Sequence, residues 1–231
     1  MNFTNPLIGQ LIHRENRFIA SVQLGDQVVI AHVPNSGRCQ ELLFPGNKVV
    51  LQQAPDTSKR KTKYSLILAQ HNAVWVCLVS VWANPLTQAA AEQGLLPELA
   101  AYSQWQPEHT WGGSRLDFLL TAANLRPCLV EVKGVTLVPN QGQALFPDAP
   151  TARGYKHLTE LTAAVNSGYR SAVVFVVQRQ DATVISPNQA MDPAFTQALT
   201  VAKENGVLLL GFSCQVDLSG IQPLQRLPVK L

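Results

Sequence analysis

The stretch CLVEVKGVTLV, residues 128–138, decides how the second half of this chain is read. It has the apolar, β-branched character of a buried strand, yet it carries Glu131 and Lys133. A carboxylate or ammonium left unpaired in an apolar layer costs several kcal/mol, so the two charges need a reason to be there. Side chains alternate across a strand, and residues 131 and 133 project from one face. The run SRLDFLL before it, residues 114–120, reads as a second strand, and TAANLRP between them has the residues of a turn. An antiparallel hairpin centred near Asn124 would set Asp117 opposite Glu131. Two carboxylates and one ammonium then converge at one place.

Two convergent carboxylates suit a hard divalent cation, Mg²⁺ or Mn²⁺, which takes oxygen ligands and shares its remaining positions with water and substrate phosphate. A lysine beside them can orient an attacking water or offset charge building on a phosphate. Asp117, Glu131 and Lys133 are thus candidate catalytic residues for phosphodiester hydrolysis, with Asp117 and Glu131 as metal ligands. The same three residues also fit an internal charge cluster that satisfies itself. Sequence alone leaves both readings open.

Around this hairpin the rear of the chain alternates helix and strand. Asn84 and Pro85 suit an N-cap and first helical residue, opening a helix through LTQAAAEQGLLPELA that breaks between Gly94 and Pro97. TARGYKHLTELTAAVNSG is a helix with Thr151 as cap, and SAVVFVVQ a buried strand. Asp192-Pro193 opens another helix before the strand GVLLLGF. This order makes residues 83–231 a mixed α/β domain. The helix before the hairpin carries two acids, Glu92 and Glu98, and Glu92 reads as a solvated helix residue. Asp148, after Pro147, reads as a turn residue, and His157 as a structural or phosphate-contacting histidine, since no second histidine lies at ligand spacing.

The front of the chain is different. RFIASVQL, QVVIAHV, NKVVLQQ, KYSLILAQ and AVWVCLVSV are short β-branched runs divided by turn residues. Five such strands fit a small oligonucleotide-binding barrel over residues 1–82. Residues 1–82 hold eight Lys and Arg against four Asp and Glu, whereas residues 83–231 hold ten against eleven. The excess charge of the front half therefore points to a polyanion. Its concentrated part is SKRKTKY, with Lys59, Arg60, Lys61 and Lys63; a solvated lysine run is the alternative reading. Asn35 and Arg38 in HVPNSGR follow a strand in a polar loop that can meet a phosphate. Arg115, Arg153 and Lys156 add cations near the hairpin and at a helix start, where phosphate is favoured. Tyr64, Phe18 and Phe44 fit either base stacking or the core.

No Walker loop, dinucleotide fingerprint or nucleophile elbow is present, which turns the reading away from nucleotide-driven and hydrolase chemistry. No apolar run reaches the length of a membrane helix, and the first residues lack a signal-peptide pattern. The four cysteines, Cys39, Cys77, Cys128 and Cys214, form no CxxC pair, which points to a reducing cytoplasm rather than a zinc or disulfide framework.

GGSRLDFLL, LVEVKGVTLV, FPDAPTARGYKHLTEL and HVPNSGR together resemble the sugar fermentation stimulation protein A (SfsA) family, and the likeness runs from RFIASVQL to LPVKL. The resemblance implies a front oligonucleotide-binding (OB)-like barrel and a rear restriction-endonuclease-like domain of the PD-(D/E)xK fold. It implies DNA binding with little sequence preference, RNA being the related possibility, and a link to regulation of sugar (maltose) use. The nuclease-type residues it carries onto this chain are Asp117, Glu131 and Lys133; many nucleases of that fold add an acid from the preceding helix, for which Glu92 and Glu98 are the candidates. An active Mg²⁺- or Mn²⁺-dependent nuclease is the alternative, and a regulator sensing a sugar-linked metabolite is a third class, for which no residue pattern stands out.

Overall fold

The computed structural model describes residues 1–54, 62–140 and 142–231. Six strands build the front: β1 Leu7–Asn16, β2 Ile19–Leu24, β3 Gln27–His32, β4 Lys48–Gln53, β5 Tyr64–His71 and β6 Val74–Cys77. Neighbours pair antiparallel in the order β3-β2-β1-β4-β5-β6. A parallel contact, Ala31↔Tyr64 and His32↔Ser65, joins β3 to β5 and closes the first five strands into a barrel. Leu11, Val22, Val33, Leu42, Leu51 and Leu66 fill its interior.

The barrel has five strands as the sequence suggests, but their membership differs. β1 is a barrel strand without a clean apolar alternation: of LIGQLIHREN only Leu11 is buried, Leu7 is half-buried against the barrel core, and Ile8 and Ile12 are exposed. AVWVC, counted as the fifth, is instead β6, an extra strand laid against β5 outside the closed ring.

A 3-10 turn at Ser80–Trp82 runs straight into helix α1, Ala83–Glu92, and a short α2 follows at Pro97–Ala100. The rear sheet takes β7 Gln104–Trp111, β8 Ser114–Thr121, β9 Cys128–Val135, β11 Arg170–Val177, β13 Leu208–Val216 and β14 Ile221–Arg226, in the order β14-β13-β11-β9-β8-β7. The central β9, β11 and β13 are parallel, as expected of strands linked through helices. β10 Gly142–Phe146 and β12 Ala182–Pro187 form a separate parallel pair. Pro107 is accommodated because β7 lies at the sheet edge.

The sheet is buried on both sides. α1 covers one face with Phe118, Val130 and Val132 beneath it. Helices α3 Ala152–Asn166 and α4 Pro193–Glu204 cover the other, over Leu129, Val173 and Phe175. Thr151 Oγ1 accepts from Gly154 N at 2.9 Å and Asp192 Oδ1 from Phe195 N at 2.9 Å, so both helices start at the caps that the sequence marks. α1 begins differently. Its first residue is Ala83, and the Asn84 side chain, expected as a cap, is turned to Asp117.

Barrel and rear domain share a core, since Val50, Ile67 and Leu68 pack in one cluster with α1, β9 and β11. A polar knot ties the same seam. Arg179 is fully buried; its Nε and Nη2 donate to Asp181 at 2.6 and 2.7 Å, and its Nη1 to Thr136 O at 3.0 Å. His71 Nδ1, on the barrel, lies 2.9 Å from Arg179 Nη2.

Candidate active site

β8 and β9 pair through Phe118↔Val130, Leu119↔Leu129 and Leu120↔Cys128, a register that centres on Asn124. Asn124 has a φ of 64°, the left-handed turn conformation that asparagine tolerates. The pairing stops one residue short of Asp117, and there the Asp117 carboxylate takes over from the ladder. Its Oδ2 accepts from Val132 N at 2.7 Å and its Oδ1 from Asn84 Nδ2 at 2.9 Å.

Glu131 is only 4% exposed and meets α3. Lys133 Nζ donates to its Oε1 at 2.7 Å. His157 Nδ1 lies 2.5 Å from the same Oε1, a close polar contact. Arg153 Nε donates to the other ring nitrogen, Nε2, at 3.3 Å, which puts the ring proton on Nδ1, toward the carboxylate. Glu131 Oε2 is buried with no hydrogen-bond partner.

The two carboxyl groups are driven apart in proton affinity. Burial, and next the nearby Glu131 carboxylate, push Asp117 above the ordinary carboxyl range. Burial also pushes Glu131 upward, but His157 and Lys133 together outweigh it and hold the group below its usual value. Negative charge is thus kept where water is scarce, and a cation would relieve it. The donor set fits a hard divalent ion. It offers one buried carboxylate oxygen with no other partner near a second carboxylate of raised proton affinity, in keeping with Mg²⁺ sites built on one or two carboxylates. Among the described residues no three His, Cys, Asp or Glu gather as a metal cluster, so the remaining ligands would be water or phosphate oxygens.

The helix acids stand elsewhere. Glu92 closes α1 eight residues beyond Asn84, about 12 Å along the axis, and pairs with Gln88 at 3.3 Å. Glu98 makes a two-pronged ion pair with Arg226 at 2.6 and 3.0 Å. The α1 residue that reaches the site is Asn84, an amide rather than an acid.

Arg115, Arg153 and Lys156 line a cleft of about 440 Å³ that His157 also borders. Lys156 Nζ donates to Gly113 O at 2.6 Å and so braces the β7–β8 turn. Arg38 and Asn35 lie on the loop after β3, where Asn35 Oδ1 accepts from Gly37 N at 2.8 Å. Arg38 borders a second cleft of about 530 Å³ together with Arg14 and Arg17. Asp148 lies in a bend, as expected of a turn residue, and also spans the two domains, its Oδ2 accepting from Cys39 N at 3.4 Å. Lys63 is exposed at the foot of β5, while Lys59, Arg60 and Lys61 lie outside the described residues.

His157 and Asn84 reach the site more directly than their sequence context suggests, and Arg14 and Arg17 border the second cleft without belonging to any sequence motif. For His157 a signal existed: it shares the buried face of α3 with Leu161 and Ala164, at helical spacing. An imidazole on a buried face needs a polar partner inside, and Glu131 is that partner.

A closed oligonucleotide-binding barrel joined to a restriction-endonuclease-type domain defines the class of protein. A family model described as "Sugar fermentation stimulation protein RE domain" matches residues 81–220, and one described as "SfsA N-terminal OB domain" matches residues 12–78. The chain belongs to the sugar fermentation stimulation protein family. A sugar fermentation stimulation protein homolog of Desulforamulus reducens is 44% identical over 220 residues, covering 95% of this chain and 90% of that one. A homolog of Desulfitobacterium hafniense is 43% identical over 231 residues, covering 100% and 99%. Among solved structures, Pyrococcus furiosus SfsA in complex with Ca²⁺ superposes with a TM-score of 0.90 at 26% identity, covering 100% of this chain and 98% of that one. In this chain the four cysteines are free and buried, and among the described residues no helix is long and apolar enough to cross a membrane.

Proposed function

We propose that the protein binds DNA through its phosphate backbone, with little sequence preference, and that Asp117 and Glu131 hold Mg²⁺ or Mn²⁺ in a nuclease-type site. The observation that carries the metal reading is Glu131 Oε2, buried and unpartnered beside a carboxylate whose proton affinity is raised. The Ca²⁺ complex of the Pyrococcus furiosus relative supports a hard divalent ion. DNA binding is supported by the barrel and by Arg17, Arg38, Arg115 and Arg153, which are exposed along clefts in both domains.

Active phosphodiester hydrolysis is the second reading, favoured by Lys133 lying on Glu131 at 2.7 Å. A bound divalent ion would supply charge stabilisation on a phosphate. The chain's part would be to orient: Lys133 and His157 fix Glu131 through Oε1, and Val132 N and Asn84 fix Asp117. A role in regulating sugar use fits the names of the relatives.

Mn²⁺ titration followed by calorimetry and thermal unfolding tests the site without requiring cleavage. Wild type is expected to bind and gain melting temperature, and Asp117→Asn and Glu131→Gln to lose at least about tenfold in affinity. Equal Mn²⁺ binding by all three would refute the site. DNA affinity that is flat with salt, or confined to one sequence, would refute the backbone-binding reading. A labelled panel of single-stranded, duplex, branched and RNA substrates, with Asp117→Asn beside wild type, decides between holding and cutting.

A further inference from the structure

We infer that the seam between the barrel and the rear domain holds one unpaired nucleotide of a DNA strand, its base in one pocket and its phosphate in the adjoining cleft. This rests on the DNA-binding reading above and adds to it a substrate class: single-stranded or locally opened DNA.

Two adjoining cavities carry the inference. The first, of about 460 Å³, lies where β3, β4 and β5 end against the 3-10 turn. Ile67 and Val79, 4% and 8% exposed, give it an apolar floor, while Phe18 on its rim is 48% exposed. Asn35, Gln52 and Gln53 also line it, with the amide oxygens of Asn35 and Gln52 already accepting from Gly37 N and Thr4 N. A nucleobase has the matching chemistry: an apolar face that stacks on an aromatic ring, and an edge of donors and acceptors that amides complement. The second cavity is the cleft bordered by Arg14, Arg17 and Arg38. Ser36 borders both, so the loop from Asn35 to Arg38 is the wall between an apolar pocket and a cationic one.

That wall is held in advance. Arg14 donates to the carbonyls of Arg17 at 2.8 Å, Gly37 at 2.9 Å and Asn35 at 3.3 Å, and also to that of Arg38. One guanidinium thus fixes the loop against the turn that carries Arg17 and Phe18, and no ordering of this wall is left for binding to supply. Arg14 is engaged in this way, and the exposed cations facing the cleft are Arg17 and Arg38. In a nucleotide the base and phosphate leave the sugar in different directions, so one unit can straddle the loop. A base inside a duplex is paired and stacked and cannot enter such a pocket unless it is extruded.

Fluorescence anisotropy on the full-length protein, with a mixed-sequence strand, its duplex and a strand carrying 2-aminopurine, tests the proposal. The strand is expected to bind about tenfold tighter than the duplex, with 2-aminopurine emission changing on binding. Phe18→Ala should weaken strand binding about tenfold and duplex binding less than about twofold, with Phe18→Trp restoring the strand. Phe18 is half exposed, so these variants keep the barrel core. Equal affinity for strand and duplex, with Phe18→Ala silent on both, overturns the base pocket while leaving DNA binding intact. Absence of binding to either DNA removes the underlying reading as well. Displacement of the strand by a hexose phosphate would assign the pocket to a sugar ligand and overturn the proposal.

Discussion

Lys133→Met, taken with Glu131→Gln in a double-mutant cycle, measures how far the fold depends on the charges at its candidate site. The pair is close and dry: Nζ lies 2.7 Å from Oε1, and the two side chains are 12% and 5% exposed. Removing the ammonium leaves a buried carboxylate whose Oε2 already lacks a partner, with His157 as its remaining contact. Breaking a buried pair from one side costs about 3–5 kcal/mol, and the retained imidazole favours the lower end of that range. Glu131→Gln strands the ammonium instead, but it also removes the repulsion on Asp117, so about 2 kcal/mol is expected. With both charges gone no unpaired ion remains, and the double variant should fall short of the summed losses by about 2 kcal/mol. Urea unfolding at neutral pH in the presence of EDTA reads all four proteins without a metal contribution. Additivity within about 0.5 kcal/mol, or a neutral Lys133→Met, would refute the reasoning.

Two further predictions concern the seam. Asp181→Ala leaves the fully buried Arg179 guanidinium without its carboxylate and should cost about 3 kcal/mol, measured by the urea midpoint; a loss below about 1 kcal/mol would count against the knot as a structural tie. His71 is pushed below its ordinary value of 6.5 by burial first and the Arg179 charge second, with Asp181 opposing. The folded state therefore favours the neutral ring, so this contribution is fully present above pH 6.5 and is lost as pH falls through the lower folded value. Unfolding midpoints followed downward from neutral pH should drop, and His71→Asn should flatten that drop; parallel curves would rule the linkage out.

Much of this architecture was legible because it rests on local chemistry. Thr151 and Asp192 mark helix starts through side-chain oxygens that cap their own backbones. Asn124 marks the hairpin because few residues accept its dihedral angle, and that turn sets the register that brings Asp117 beside Glu131. β1 was hidden for the opposite reason. Its pairing with β2 and β4 supplies what its own apolar residues do not, since Leu11 is buried and Leu7 half-buried while Ile8 and Ile12 are exposed. AVWVC looks like a barrel strand because it is apolar on both faces, with Val76 in the barrel core and Cys77 in the core shared with the rear domain. Asn84 read as a cap, since a cap needs only its own helix, whereas its actual partner lies 33 residues away.

By itself the sequence determined the two-part plan, the hairpin and the three charges at its heart, since periodicity, turn dihedrals and the cost of burying charge act over a few residues. Tertiary structure alone decided that His157 and Lys133 share one oxygen of Glu131 and leave the other bare. It alone decided that Asn84 rather than an acid comes from α1, and that Arg14 fastens the loop between two cavities. Those contacts join segments distant along the chain, and their geometry follows from how a barrel and a sheet pack against each other.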